Sequence, residues 1–544
     1  MEADRQLPAF GYVRSPDLVA ARPVRHPVVV AGAGPVGLTA AIDLARRGHA
    51  VVLLDADDRL SDGSRAICFA KRTLEIFDRI GCGAEVVGKG VGWNTGKVFF
   101  RDRLVYRFDL LTEAGHHRPA FVNIQQYHVE AYLLARAGAL PGLEIRWQNR
   151  VVDVVQDDAA VTLTVATPEG EYRLLCDYLV AADGTRSTVR TRLGHETRGQ
   201  SFRDRFLIAD VRMTAPFPAE RWFWFDPPFH PGQSVLLHRQ PDDVWRIDFQ
   251  LGWDADPVAE RAPERVTARV RALLGPDVPF DLEWVSIYTF SCQRMARLRD
   301  RRVLFAGDAA HGVSPFGARG ANSGVQDADN LVWKLGLVLS GAAPATLLDS
   351  YADERAAAAD ENILHSTRST DFITPKSAVS RVFRDAVLEL AQDCAFARRL
   401  VNSGRLSLPS TLHGSVLNTP DTAAFAGLMV PGAPASDAPV QHDGVPGWFL
   451  DHIGDRFTLV CFAAAPALLP DLPVALRCLL VQHAGGPAPA GWCVVQEDGT
   501  LSQRFDARPG TVYLVRPDQH VCARWRAFDS DLLRAAIARA TGRV

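Results

Sequence analysis

Three things are missing from this 544-residue chain: an excess of charge of either sign, a paired set of cysteines, and any long uninterrupted apolar run. With 60 basic against 63 acidic side chains the net charge is −3. That balance offers no electrostatic case for a nucleic-acid or membrane-surface partner, and a small, neutral or weakly charged ligand is the better expectation. The nine cysteines are scattered and no two stand as C-x-x-C, so neither a thiol zinc site nor a dithiol redox centre is indicated. An odd count without framework spacing suits a reducing cytosol. The first apolar run, from Val28, is broken by Gly32, Gly34, Pro35 and Gly37, and no later span has the length of a membrane helix. No secretory signal is visible, so the expectation is a soluble cytoplasmic protein. No short internal repeat is evident. What is present, 47% hydrophobic and 23% charged residues, describes a globular chain, and its length calls for two or three domains.

The glycines carry the first positive signal. A buried-strand run at 27–31 leads into Gly32-Ala33-Gly34-Pro35-Val36-Gly37, then a helical pattern at 38–48, then a second strand at 50–54 ending in Asp55. This strand-turn-helix-strand-acid order is that of a dinucleotide fold. Gly32 permits the tight turn, Gly34 lets the backbone reach a pyrophosphate, Gly37 lets helix and strand pack closely, and Asp55 is placed to accept from a ribose diol. A third strand, 178–182, ends in Asp183-Gly184. A fourth, 303–306, ends in Gly307-Asp308, followed by a loop with Pro315, Gly317 and Gly320 and a helix starting near Asn322. A helix N-terminus behind a Gly-rich turn presents backbone N–H groups to a polar ring. Between these motifs, 195–300 turns aromatic and strand-like, with Trp222, Phe223, Trp224, Phe225 and Trp245.

The three motifs in this order resemble the class A FAD-dependent aromatic monooxygenases, such as phenol hydroxylase and 3-(3-hydroxyphenyl)propionate hydroxylase. The resemblance covers roughly 27–405. It implies an α/β protein with a Rossmann-type FAD-binding domain, an inserted mixed β-sheet substrate domain and a C-terminal thioredoxin-like α/β domain. The corresponding boundaries are an N-terminal arm at 1–26, FAD-binding segments at 27–194 and 301–405, a substrate sheet at 195–300, a linker at 406–446, and the last domain at 447–544. That domain is expected to have strands at 457–463, 492–496 and 511–515 and helices at 474–480 and 529–540. Where a redox-active thioredoxin carries C-x-x-C it has Cys461-Phe462-Ala463-Ala464, so a structural role is expected.

The activity so implied is NADH- or NADPH-dependent insertion of one atom of O2 into a phenolic ring through a flavin C4a-hydroperoxide. By the same resemblance Gly32, Gly34, Pro35 and Gly37 hold the FAD pyrophosphate and Asp55 the adenosine ribose. Arg65 and Gln126 contact the phosphate and ribityl region, and Asp183 with Gly184 serves FAD and nicotinamide docking. Gly307 and Asp308 hold the ribityl chain. The loop of Pro315 and Gly317, with the amides of Gly320, Ala321 and Asn322, faces flavin N1 and C2=O, while His311 is expected to be structural. A homodimer is the implied assembly.

Two departures stand out. The loop reads Pro315-Phe316-Gly317-Ala318-Arg319-Gly320, with Phe316 and Arg319 where relatives differ. Phenol hydroxylases also place an aspartate shortly before R-T-L-E; aligned on Arg72-Thr73-Leu74-Glu75, that position is Ile67. A phenolate activates its ortho and para carbons, so another base or acceptor is expected. Tyr288 is the first candidate catalytic residue, with His238 and then His128 behind it. No cluster of Arg or Lys is evident in the β-rich segment. The rival readings are a Baeyer–Villiger oxygenase or epoxidase on a polyketide-like substrate, and a flavin-binding protein without turnover.

Overall fold

The structure, a computed structural model, describes residues 8–543 apart from 62, 64, 216, 402–405, 484–485 and 487–488. An eight-stranded sheet organises the first domain. Its parallel centre runs Val303–Phe305, Gly170–Ala181, Val24–Ala31, Val51–Leu54, Leu143–Arg146. Val28, Val29, Val30 and Leu53 have no exposed surface; strands covered on both faces read as unbroken apolar runs. The strand ends Ala31, Ala181 and Phe305 lie side by side. Gly32, Asp183 and Gly307-Asp308, far apart in sequence, therefore meet along one edge, where ligands bind in open α/β sheets.

A second sheet has seven strands in the order Asp281–Tyr288, Arg205–Arg212, Val244–Leu251, Ser234–Arg239, Arg221–Phe225, Thr95–Phe100, Arg103–Asp109. The last two come from the stretch that sequence alone assigns to the first FAD segment; Thr95–Phe100 joins by a parallel pairing with Arg221–Phe225. Two-residue alternation makes the faces of this sheet chemically different. One face, with Leu207, Ala209, Val235, Trp245, Ile247 and Phe249, packs on Val266 and Val270 of the helix Pro263–Leu274. The opposite face carries Asp210, Arg221, His238, Arg246, Asp248 and Tyr288. It meets the FAD-binding domain, with the Cys68 sulfur 3.8 Å from His238 Nδ1 and the Phe316 ring 4.8 Å from that of Phe206.

The third sheet, also of seven strands, runs Val445–Trp448, Pro439–His442, Cys493–Gln496, Leu476–Gln482, Phe457–Phe462, Val512–Val515, Val521–Trp525, with the helix Ser530–Ala540 behind it. This thioredoxin-like domain brings two corrections. The expected helix at 474–480 is the strand Leu476–Gln482, held between parallel neighbours. A short apolar run does not distinguish a buried strand from a helix, and here pairing on both edges decides. The expected linker over 406–446 is a packed strap. Among the described residues of 406–438 no helix or strand forms, yet the amides of Thr419, Gly432 and Ala435 donate to the carbonyls of Cys522, Val521 and Gln519 at 2.8, 2.7 and 2.8 Å. Pro439–His442 and Val445–Trp448 then extend the sheet itself. Among the described residues no helix is long and apolar enough to cross a membrane.

Candidate active site

The edge shared by the three strand ends is shaped by what its glycines exclude. A Cβ on Gly32, whose φ is +102°, would lie 2.4 Å from the Ala182 carbonyl oxygen, and one on Gly37 would lie 1.9 Å from that of Gly32. Both glycines are demanded by the protein's own backbone. Gly34 is different: a Cβ there would meet nothing within 4 Å. It caps the helix Pro35–Arg46 without a side-chain hydrogen bond, leaving the positive helix end open toward an anion. Asp55 accepts from the Asp57 amide at 2.8 Å and the Ala33 amide at 2.5 Å, while burial pushes its carboxyl up.

Asp183 Oδ2 accepts from the Val189 amide at 3.1 Å, but its Oδ1 is buried without a hydrogen-bond partner. Burial raises this carboxyl as well. Gly184 beside it has φ +76°. Gly307, at φ +60°, lets the helix start near Val36 come close, and Asp308 is exposed, accepting from Thr185 Oγ1 at 3.1 Å. Arg65 is exposed. Gln126 turns inward instead: it accepts from the Ala66 amide at 3.1 Å and donates to Glu130 at 2.8 Å and Ser61 Oγ at 3.3 Å, so it holds Ser61 and Ala66 in place.

After Pro315 the loop passes through Gly317 and Ala318, at φ +101° and +53°, into the helix Gly320–Leu339. The first intrahelical bond is Ser323 N–H to the Arg319 carbonyl, 2.7 Å, so the N–H groups of Gly320, Ala321 and Asn322 precede the ladder. The Asn322 side chain is fully engaged. It accepts from the Ala70 amide (2.8 Å) and Thr73 Oγ1 (2.7 Å) and donates to the carbonyls of Cys68 (2.9 Å) and Ala318 (2.6 Å). Phe316 is buried among Phe206 and Phe290, and Arg319 is buried behind it. His311 lies 2.6 Å from Asp327, which also accepts from the Gly307 amide (3.0 Å) and Arg355 (2.6 Å); it is a brace for the strand end. His128 lies apart, 3.5 Å from Asp242.

Strand register on the second sheet assembles a polar row. His238 is opposite Arg246, Arg246 opposite Asp210, and Asp210 opposite Trp284; Arg221 falls beside His238, one residue beyond the Trp222–Leu237 pair. Asp248 lies in the next row, opposite Leu236 and Ile208, and Tyr288 closes the aromatic end opposite Phe206. Arg246 is paired with Asp210 through two bonds of 2.8 and 2.7 Å. Arg221 makes no such pair: its Nε and Nη1 are buried without partners. Asp248 Oδ2 is 3.9 Å from His238 Nε2, too long for a hydrogen bond. Burial, reinforced by Asp210 and opposed by Arg246 and Arg221, pushes Asp248 up to about 6. Burial next to two guanidinium groups holds His238 far below its ordinary value, hence neutral, and burial with Asp248 nearby keeps Tyr288 protonated.

Sequence reasoning thus named two members of this cluster, Tyr288 and His238, and missed Asp210, Arg221, Arg246 and Asp248. The absence of a basic cluster along the chain was misleading, because its two arginines stand on different strands. The legible signal was polar residues at two-residue spacing, Arg246-x-Asp248, inside strands otherwise apolar enough for a core. Ile67 is buried.

Residues 25–366 match the family described as FAD binding domain. The chain is 31% identical to 6-methylpretetramide 4-monooxygenase of Streptomyces rimosus, over 94% of this chain and 92% of the relative. It is likewise 31% identical to para-nitrophenol 4-monooxygenase of Pseudomonas sp. (strain WBC-3), over 60% of this chain and 82% of that one. The fold superposes on aklavinone-11 hydroxylase, solved as a ternary complex with FAD and aklavinone, with a TM-score of 0.75 and 25% identity, covering 96% of this chain and 100% of the other. The chain is an FAD-dependent aromatic monooxygenase. Three features of this monooxygenase fit its cofactor: the open space over Gly34, the orphaned buried Asp183 Oδ1, and two helix N-termini without side-chain caps.

Proposed function

We propose that this monooxygenase hydroxylates a phenolic ring, with Asp248 as the base that replaces the carboxylate missing at Ile67. The geometry that supports this reading is a buried carboxyl outside any hydrogen-bonded pair, on the sheet face whose His238 meets Cys68 and, through it, Asn322 behind the Gly-rich loop; burial pushes that carboxyl up to about 6. A general base works best with a pKa near the operating pH. His238, neutral and adjacent, supplies a lone pair for relaying the proton, and Tyr288 remains a hydrogen-bond donor toward the ring oxygen. Phe206, Phe290 and Phe316 exclude water from the reacting edge.

On the cofactor side, Gly32, Gly34 and Gly37 would receive the pyrophosphate, and Asp55 the adenosine ribose. Asp183 and Asp308 would receive hydroxyls or nicotinamide, with Arg65 at the phosphate side. Bound FAD, reduced by NADH or NADPH, supplies the activation of O2. The amides of Gly320, Ala321 and Asn322 with their helix dipole favour negative charge on the ring system they face. A Baeyer–Villiger or epoxidase reaction requires no proton removal from the substrate, so the poised carboxyl weighs against it.

The test is flavin reduction by NADH and by NADPH across panels of phenols and ketones, with mass analysis of products formed under 18-O2. One labelled oxygen in a ring hydroxyl is expected, with phenols accelerating reduction. A panel in which ketones alone turn over, or in which no aromatic ligand accelerates reduction, overturns the reading.

A further inference from the structure

We propose that Arg221 is the cation that receives the ionised oxygen of the substrate, so that the ring is bound as its phenolate and not as the neutral phenol. This rests on the hydroxylase reading above and adds to it the protonation state of the bound ligand and the residue that sets it.

The two arginines of the polar row make the case by contrast. Arg246 is buried and satisfied, with Asp210 across the strand pair at 2.8 and 2.7 Å. Arg221 is also buried, 5% exposed, and its guanidinium makes no hydrogen bond among the described residues; Nε and Nη1 are enclosed without partners. A guanidinium does not escape by losing its proton. A buried charge without a hydrogen-bonded partner is costly, and around Arg221 only the more distant charge of Asp248 and the Cys68 and Tyr288 side chains work against that cost. Its surroundings come from several elements: His238 beside it, Arg246 one strand further, Asp248 and Tyr288 on the same face, and Cys68 reaching in from the FAD-binding domain. Of these, Asp248 is the one carboxylate not already committed to a hydrogen-bonded pair, and it does not come within ion-pair distance of Arg221.

The charge balance closes when a phenol is added. The O–H bond of the ring breaks and its proton goes to an Asp248 oxygen, forming a neutral carboxyl; the electron pair stays on the ring oxygen. Negative charge moves from Asp248 to the phenolate, where it pairs with Arg221, while Arg246 and Asp210 remain paired. No net charge is added to the buried row. The fork of N–H donors suits an oxyanion, including the delocalised oxygens of an acidic phenol or enol.

The probe is 4-nitrophenol, whose phenolate has its own visible absorption, titrated into the FAD-loaded enzyme across pH, with 4-nitroanisole as a ligand that cannot ionise. In the wild type the bound dye should ionise at least about one pH unit below the free dye, a tenfold shift in the phenolate-to-phenol ratio. Arg221→Met should remove that shift and weaken binding of the anion at least tenfold while leaving 4-nitroanisole affinity unchanged; Arg221→Lys should keep part of the shift. Because an uncompensated charge is removed, Arg221→Met should hold its FAD and melt no lower than the wild type, whereas Arg246→Met, which strands Asp210, should melt lower. If Arg221→Met does not fold, Arg221→Gln is read in its place. A wild type that binds the dye neutral or not at all, or an Arg221→Met enzyme with the shift intact, overturns the proposal. Phenolate binding without oxygenation of any phenol would sink the hydroxylase reading and leave Arg221's role standing; oxygenation of ligands bound neutral would do the reverse.

Discussion

The chemistry at single residues depends on how far burial and neighbours move each protonation equilibrium. Asp248 and Asp210 are two carboxylates on one sheet face, two residues from each other across a strand pair. One is neutralised by Arg246; the other, without a direct partner, is pushed up to about 6 and becomes available as a base. Asp248→Asn keeps the shape and removes the base. Turnover of a weakly acidic phenol should fall roughly 10²- to 10⁴-fold. The wild type should lose activity as pH drops through about 6, where Asp248 takes up its proton; in the variant that acidic limb should vanish from the pH–rate profile. An unchanged limb would assign it to another group. Tyr288, the first candidate by sequence, titrates in the wrong direction for a base: burial drives it up, and its rings of contact with Phe206 and Phe290 make it a donor and a wall.

At the scale of elements, the first strand-turn-helix shows which parts of a motif serve the fold and which serve a ligand. Gly37 and Gly34 belong to the same hexapeptide, yet a side chain at Gly37 collides with the Gly32 carbonyl at 1.9 Å, while one at Gly34 meets nothing within 4 Å. Gly37→Ala should therefore destabilise the apoprotein by about 1–3 kcal/mol, the usual range for overpacking. Gly34→Ala should melt with the wild-type apoprotein and lose FAD affinity at least tenfold, since the added methyl occupies ligand space. Equal melting losses in both variants would contradict this division. The helix Gly320–Leu339 shows a similar split: the Asn322 side chain ties it to the Cys68–Ala70 strand, while its backbone N–H stays free of the ladder.

For the molecule as a whole, that same helix is the shared spine. Its N-terminus lies at the flavin loop, and further along Asn330 and Lys334 both donate to Glu354 at 2.7 Å. Glu354 in turn binds Arg516 of the thioredoxin-like domain at 2.6 and 3.1 Å. Arg72 adds bonds to Gln519 (2.8 Å) and the Asp518 carbonyl (2.7 Å), and Trp333 packs on Phe457. The last domain is locked to the first through buried charge, and Cys461, fully buried with its thiol pushed up to about 12, is inert within it. Glu354→Gln removes the carboxylate that Lys334 and Arg516 share, leaving Arg516 to its other partner, Asp518, and should cost about 3–5 kcal/mol of unfolding free energy. Burial works against the Glu354 charge, but Arg516 and Lys334 hold its carboxyl well below the ordinary 4.5. Its contribution is present above that value and is lost as pH falls toward the folded-state value, so the gap between wild type and variant should narrow under acid. A single cooperative unfolding transition in the wild type, splitting in the variant, would show the coupling directly by calorimetry.

The cofactor and the parallel sheet were readable from the chain because their signals are local. Gly32 to Asp55, Asp183-Gly184 and Gly307 to Asn322 are short stretches in which backbone conformation itself demands particular residues, and such demands leave a mark at fixed spacing. The order of the three motifs was enough for the family, the cofactor and the parallel sheet. The buried polar cluster proposed for the substrate leaves no such mark. Arg221, His238, Arg246, Asp210 and Asp248 come from four strands, and only hydrogen-bonded register places them on one face in two adjacent rows; a slip of one residue would turn each to the opposite face. The same holds for the strand at Leu476–Gln482 and for the strap at 406–438, where pairing and packing, not local composition, chose the conformation. Sequence by itself determined what the protein binds through its backbone; tertiary structure decided which side chains share the buried face proposed for the substrate, because charge pairing and burial exist only between residues that folding has brought together.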